Sequence, residues 1–351
     1  MDLPAPLAWL VDEASASAGP DRFLAELGSR LKADGLPLAA ASLTLAVPHP
    51  IIARRTWLWR AETGAVIEAL GFTDGPLDRT ARDALNDFSP VEVDVIGGMP
   101  DSPVLAWAGA RPFSPEESRR LREVVRFAAS PLAALAARAA MAALLEAYLG
   151  RRSAARVQSG AIRRGSGESI RAALLYADLR GFTALSEATE PAAVIAALDA
   201  WFDRIAGSVH AFGGEVLKFI GDGVLAIFPV SDTPKAACEA ALRAVIAARA
   251  GMTHLDAARE AQGLPPLSFG AALHLGEIHW GNVGAADRLD FTAIGPAVNL
   301  ASRLEGLCRP LGRWVLISGA VAAETAMPLV PLGEHALRGI ASPCEVFTLP
   351  D

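Results

Sequence analysis

The chain has 351 residues, enough for two ordinary domains with a core each, and carries a formal net charge of −7 with no Lys/Arg-rich block. Gripping a nucleic-acid backbone needs a basic footprint, so this charge argues against nucleic acid as a partner. The three cysteines, Cys238, Cys308 and Cys344, are far apart and form no C-x-x-C pair, as expected of reduced thiols in a cytoplasm, and Met1 to Leu10 lacks the basic-then-apolar pattern of an export signal.

Between Gly19 and Ala110 helical and strand-like patterns alternate. Phe23, Leu27 and Leu31 recur at helical spacing, and Ala41 to Val47, Arg55 to Trp59, Val91 to Val95 and Val104 to Ala108 read as strands. Residues 1–112 are therefore expected to form an α+β domain of sensor size, with a loose resemblance to the GAF family and an unidentified regulatory ligand or partner. Trp57, Trp59, Phe72 and Trp107 either line a pocket or fill its core, and aromatic residues more often fill cores.

Residues 113–168 read as a connector helix and linker. Ser114-Pro115-Glu116-Glu117 supplies an N-cap, a first-turn proline and a glutamate three residues after the cap. Leu121, Val125, Ala128, Leu132, Leu135 and Ala139 then form a stripe that serves either a partner helix or an ordinary core, with Pro131 expected to kink or split the helix. Arg126, Pro131, Arg138 and Glu146 interrupt the apolar run Val124 to Leu149, so no integral membrane segment is expected there. Arg151 to Glu168, rich in Arg, Ser and Gly, reads as linker, and a second domain is expected over 169–351.

In that domain a nearly continuous apolar strand runs from Ile170 and ends in the carboxylate of Asp178; apolarity on both faces marks a central strand. A helix follows over about Pro191 to Phe212, with Val194, Leu198, Phe202, Ile205, Val209 and Phe212 as its apolar face and Gly213-Gly214 as its stop. Asp222-Gly223 between alternating apolar residues signals a β-hairpin, where an aspartate is usually only a turn former. The six histidines form no H-x-x-x-H pair; His274 and His279 fall in a strand-like segment, so zinc catalysis is unsupported.

Y-A-D-L-R-G-F-T, then G-G-E-V-L-K-F-I-G-D-G-V, then R-L-D-F-T-A-I-G-P-A-V-N-L-A-S-R, in this order, resemble the class III adenylate and guanylate cyclases over roughly Ile170 to Leu349. The resemblance implies a ferredoxin-like βαββαβ fold, an α/β (α+β) class, active as a head-to-tail homodimer. It implies conversion of ATP to 3′,5′-cyclic AMP and pyrophosphate with two Mg²⁺ or Mn²⁺ ions. Asp178 and Asp222 match the metal aspartates, with the Leu179 carbonyl as a further ligand; Asn299 and Arg303, four apart on one helix face, match the residues that orient the ribose and stabilise phosphate charge. Arg338 matches a position that binds the β- and γ-phosphates. Lys218 and Thr292 match the positions facing adenine N1 and its exocyclic amine, so a donor-only ammonium favours ATP over GTP. Many relatives carry Asp where Thr292 stands, and Thr at this position resembles the subgroup whose members can respond to bicarbonate; Pro296 also replaces a common Asp. The rivals are a guanylate cyclase and a module that binds nucleotide without turnover.

Overall fold

In the computed structural model, which describes residues 3–72, 75–96 and 101–350, the chain divides into two units, Met1–Tyr148 and Leu149–Asp351. The outermost ends of the expected 1–112 and 169–351 domains lie outside the described residues.

The first unit is built from α1 (Ala5–Asp12), α2 (Pro20–Ala33), β1 (Leu38–Ala46), β2 (Arg54–Arg60), β3 (Val66–Gly71), α3 (Leu77–Asp83), β4 (Val91–Val95), β5 (Val104–Gly109) and α4 (Pro115–Leu149). Its antiparallel sheet is ordered β3-β2-β1-β5-β4. Strand alternation sends Ala41, Leu43, Trp57, Trp59, Leu105 and Trp107 to one face, against α1, α2 and the first half of α4; Ala40, Ala106 and Ala108 face α3 on the other. Trp57, Trp59 and Trp107 are thus core residues, whereas Phe72 is 62% exposed.

The start of α4 has the expected capping box. Glu117 N–H donates to Ser114 Oγ at 3.2 Å, Ser114 N–H donates to Glu117 at 2.7 Å, and Arg111 donates two further bonds to the same carboxylate. These bonds hold the Glu117 carboxyl down at about 2. Pro131 does not split the helix, which runs unbroken for 35 residues. By length and apolarity α4 meets the minimum for a membrane span, and 22% of its most apolar stretch is buried; its first half packs into the first core through Leu121, Val124, Val125, Ala128, Leu132 and Leu135.

The second unit comprises α5 (Arg151–Gln158), β6 (Gly167–Leu179), α6 (Phe182–Ala188), α7 (Pro191–Ala211), β7 (Glu215–Ile220), β8 (Gly223–Pro229), α8 (Pro234–Glu260), β9 (Phe269–Gly284), β10 (Leu289–Ile294), α9 (Pro296–Glu305), β11 (Val315–Ser318), α10 (Gly319–Ala322), β12 (Val330–His335) and β13 (Cys344–Thr348). Strands β9-β6-β8-β7 are neighbours in that order, the ferredoxin-like arrangement of a βαββαβ chain; β11 extends the sheet parallel to β9, followed by β13 and β12, and β10 folds back on β9. The central strand β6 is apolar on both faces because each is covered. Ala173, Leu175, Ala177 and Leu179 pack with α7 and α8, and Ala172 and Leu174 lie in the core under α9.

Two details depart from the sequence reading. The fully buried row of α7 is Ala197, Trp201, Ile205 and Val209, with Leu198, Phe202 and Phe212 only flanking it, because Trp201 turns inward and its indole donates to the Asp222 carbonyl at 2.9 Å. Within the expected linker, Arg151–Gln158 is a helix pinned by a tertiary contact: Glu215 Oε1 accepts from Ser153 N–H at 3.0 Å and Ser153 Oγ at 2.9 Å, and both residues are buried. Glu215→Ala strands two buried donors, about 2–4 kcal/mol. The second unit of the intact chain is therefore expected to melt about 5–10 °C lower in a calorimetric scan, and an unchanged melt would remove this role.

Candidate active site

Asp178 is the last but one residue of β6, and Asp222 sits in the two-residue turn between β7 and β8. Since β8 pairs with β6, the hairpin returns Asp222 to the end of the strand that carries Asp178. The Asp222 carboxyl lies close enough to act on that of Asp178. Burial first, then the neighbouring carboxyl of Asp222, then the charge of Glu305, push Asp178 up to about 7, and the Leu179 backbone amide only partly opposes them. Asp178 Oδ1 is buried without a hydrogen-bond partner. Gly223 closes in on it, for a Cβ there would stand 3.5 Å from Oδ1. A cation is the ligand this pair suits: two hard oxygen donors, one of them unsatisfied, whose repulsion a positive charge would relieve. Among the described residues no group of three or more His, Cys, Asp or Glu side chains is placed to hold a metal. Two carboxylates are the number with which magnesium sites are commonly built, substrate phosphates and water completing the shell.

A second group forms on β7 and β10. Lys218 Nζ makes an ion pair with Asp290, which the sequence reading had passed over. Asp290 lies two residues before Thr292 on β10, so alternation puts both on one face of that strand; Thr292 itself is buried. That period of two was the available signal.

Asn299 and Arg303 are exposed on α9. At 100° per residue they point away from Ala297, Ala301 and Leu304, which seat the helix on the sheet. Glu305, also passed over in the sequence, belongs to the inner side, where its charge acts on Asp178 and that of Asp222 acts on it. Burial, more than these charges, raises its carboxyl, and Arg180 opposes the rise. One chain therefore brings Asp178 and Asp222 together, brings Lys218 near Thr292 through Asp290, and turns Asn299 and Arg303 outward. Arg338 is exposed in the turn between β12 and β13, and Leu179 is buried at the end of β6. His274 bonds to Ser318 at 2.9 Å, and burial lowers it to about 4.

The sequence matches the adenylate and guanylate cyclase catalytic domain over residues 167–340. It is 36% identical over 177 residues to adenylate cyclase 1 of Rhizobium meliloti, covering 49% of this chain and 26% of that protein. The chain thus spans about a quarter of the length of that curated relative. Among solved structures it matches the adenylyl cyclase CyaB of Pseudomonas aeruginosa at 30% identity, covering 53% of this chain and 96% of that one, with a TM-score of 0.49. A bacterial light-regulated adenylyl cyclase, at 19% identity and a TM-score of 0.55, shares the fold over 88% of this chain and 93% of its own. The matched stretch contains the acidic pair, the Lys218 group, both outward residues of α9 and Arg338, and residues 167–340 of the chain belong to the class III adenylate and guanylate cyclase family.

Proposed function

We propose that the protein is an adenylate cyclase that makes 3′,5′-cyclic AMP and pyrophosphate from ATP, in the cytoplasm, at sites shared by two copies of the chain. The observation that carries the reading is the buried, unpartnered Oδ1 of Asp178 beside Asp222. Asp178 and Asp222 are the residues that would hold Mg²⁺ or Mn²⁺, two ions per site, with the Leu179 carbonyl as a further ligand. When bound, the ions supply positive charge for the attacking ribose oxygen and the departing pyrophosphate.

The rest of the chemistry is assigned to side chains. Lys218 and Thr292 select the base, an ammonium donating to adenine N1 and a hydroxyl accepting from the amine; the Asp290 pairing supports this by holding the ammonium near Thr292. Asn299 orients the ribose, Arg303 stabilises charge growing on the α-phosphate, and Arg338 binds the outer phosphates. Because Asn299 and Arg303 point away from the sheet that carries their own acidic pair, the reading calls for a second copy to present them. Phe219 and Ile220, 48% and 46% exposed beside Lys218 and the Asp222 turn, suit such an interface.

The test is product formation by the intact chain from ATP and, separately, GTP with either metal. Cyclic AMP from ATP, absent with Asp178→Ala, is the expected result; cyclic GMP as the main product would overturn the base assignment. Lys218→Glu is expected to lower kcat/KM for ATP by about 100-fold, since a carboxylate would face an acceptor, and a loss below threefold would remove Lys218 from base recognition.

A further inference from the structure

The acidic pair does not account for every carboxylate on its face of the sheet. Glu305 closes α9, and its Oε1 occupies the volume that a Cβ at Gly270 would take, with Cys308 as the next wall of the same notch. Gly270 stands opposite Asp178 in the β6–β9 ladder. Residues opposite one another in an antiparallel ladder present their side chains to the same face, so Glu305 lies on the face of Asp178, one strand away.

The notch is specific to this end of the crossing, for at the other end Gly276 admits the methyl group of Ala297, an apolar contact. A third partly buried carboxylate next to two others is costly unless positive charge answers it. Arg180 provides some from one side, itself anchored by donating to the Arg313 carbonyl.

We propose that Glu305 is a positioning residue for the acidic pair. Seated in the Gly270 notch, with the positive charge of Arg180 acting on it, it adds to the field that retains a divalent cation at Asp178 and Asp222. It also fixes the inner end of the helix whose outer face carries Asn299 and Arg303. The assignment rests on reading the pair as a cation site. Groups just outside a metal's ligands commonly alter its affinity by about 10–100-fold.

The experiment is a Mn²⁺ titration of the intact chain without nucleotide, reading free Mn²⁺ by electron paramagnetic resonance. Wild type, Glu305→Gln, Glu305→Asp, Gly270→Ala and Asp178→Asn are compared, with thermal midpoints measured in parallel. Asp178→Asn is expected to lose the site. Glu305→Gln, isosteric but uncharged, is expected to raise Kd about tenfold, and Glu305→Asp to recover most of that. Gly270→Ala, which displaces the carboxylate without removing it, should weaken binding in the same direction. A Kd for Glu305→Gln within twofold of wild type, with Asp178→Asn unable to bind, overturns the role of Glu305. Wild-type Mn²⁺ binding by Asp178→Asn overturns the cation-site reading instead.

Discussion

Asp178→Asn is expected to abolish cyclic AMP formation, by about a thousandfold or more, on the magnitude of losing an essential electrostatic group, and yet to make the metal-free protein harder to melt at pH 8. Both effects have one origin. Asp178 is held at about 7 against an ordinary 3.8, so the folded chain binds this proton more tightly than the unfolded chain does. The metal-free fold therefore loses stability as pH rises from about 4 to about 7, and the loss is complete above that window. Asparagine keeps the shape and removes the repulsion with Asp222 and Glu305. If about 1 kcal/mol is relieved, the midpoint rises about 2–4 °C. Adding Mn²⁺ should raise the wild-type midpoint and leave that of the variant unchanged. A variant less stable than wild type at pH 8 without metal would show that Asp178 is not repelled where it sits.

Mixing two inactive variants, Asp178→Ala and Arg303→Ala, is expected to restore activity. If Arg303 serves the acidic pair of a partner, a mixed dimer contains one site with both residues intact and one with neither. Random exchange makes half the dimers mixed, each with one working site of two, which gives about a quarter of wild-type activity by symmetry. Each variant alone should stay near background. No recovery, in a mixture shown by mass to contain mixed dimers, would mean that Arg303 works with its own chain's aspartates or not at all.

Much of this site was legible in the sequence because its parts are local. A carboxylate closing an apolar strand and an Asp-Gly pair between alternating residues each announce a hairpin or strand end without tertiary information, although the turn itself falls on Gly221-Asp222 and Gly223 opens β8, and the capping box at Ser114 does the same for α4. The parts that stayed hidden depend on distant partners. α5 looks like linker because its anchor, Glu215, is 62 residues away. Asp290 looks like any surface acid until β10 brings it to Lys218, 72 residues earlier. The sequence places Ile205 and Val209 on the buried face of α7 correctly, but its first half lies one position off, because Leu198 and Phe202 fit the helical period as well as Ala197 and Trp201 do, and the hydrogen bond to the hairpin favours Trp201.

That bond from the Trp201 indole to the Asp222 carbonyl has a further consequence. A two-residue turn at the edge of a sheet would normally sample several shapes, and each would have to be given up on binding a ligand. Here the backbone of the turn is fastened to a side chain that is fully buried in the core of the domain. The ordering was completed when the domain folded, and only the Asp222 carboxylate still has to swing. Preorganisation of this kind lets interaction with an incoming ligand go into tightening the bound geometry instead of assembling it.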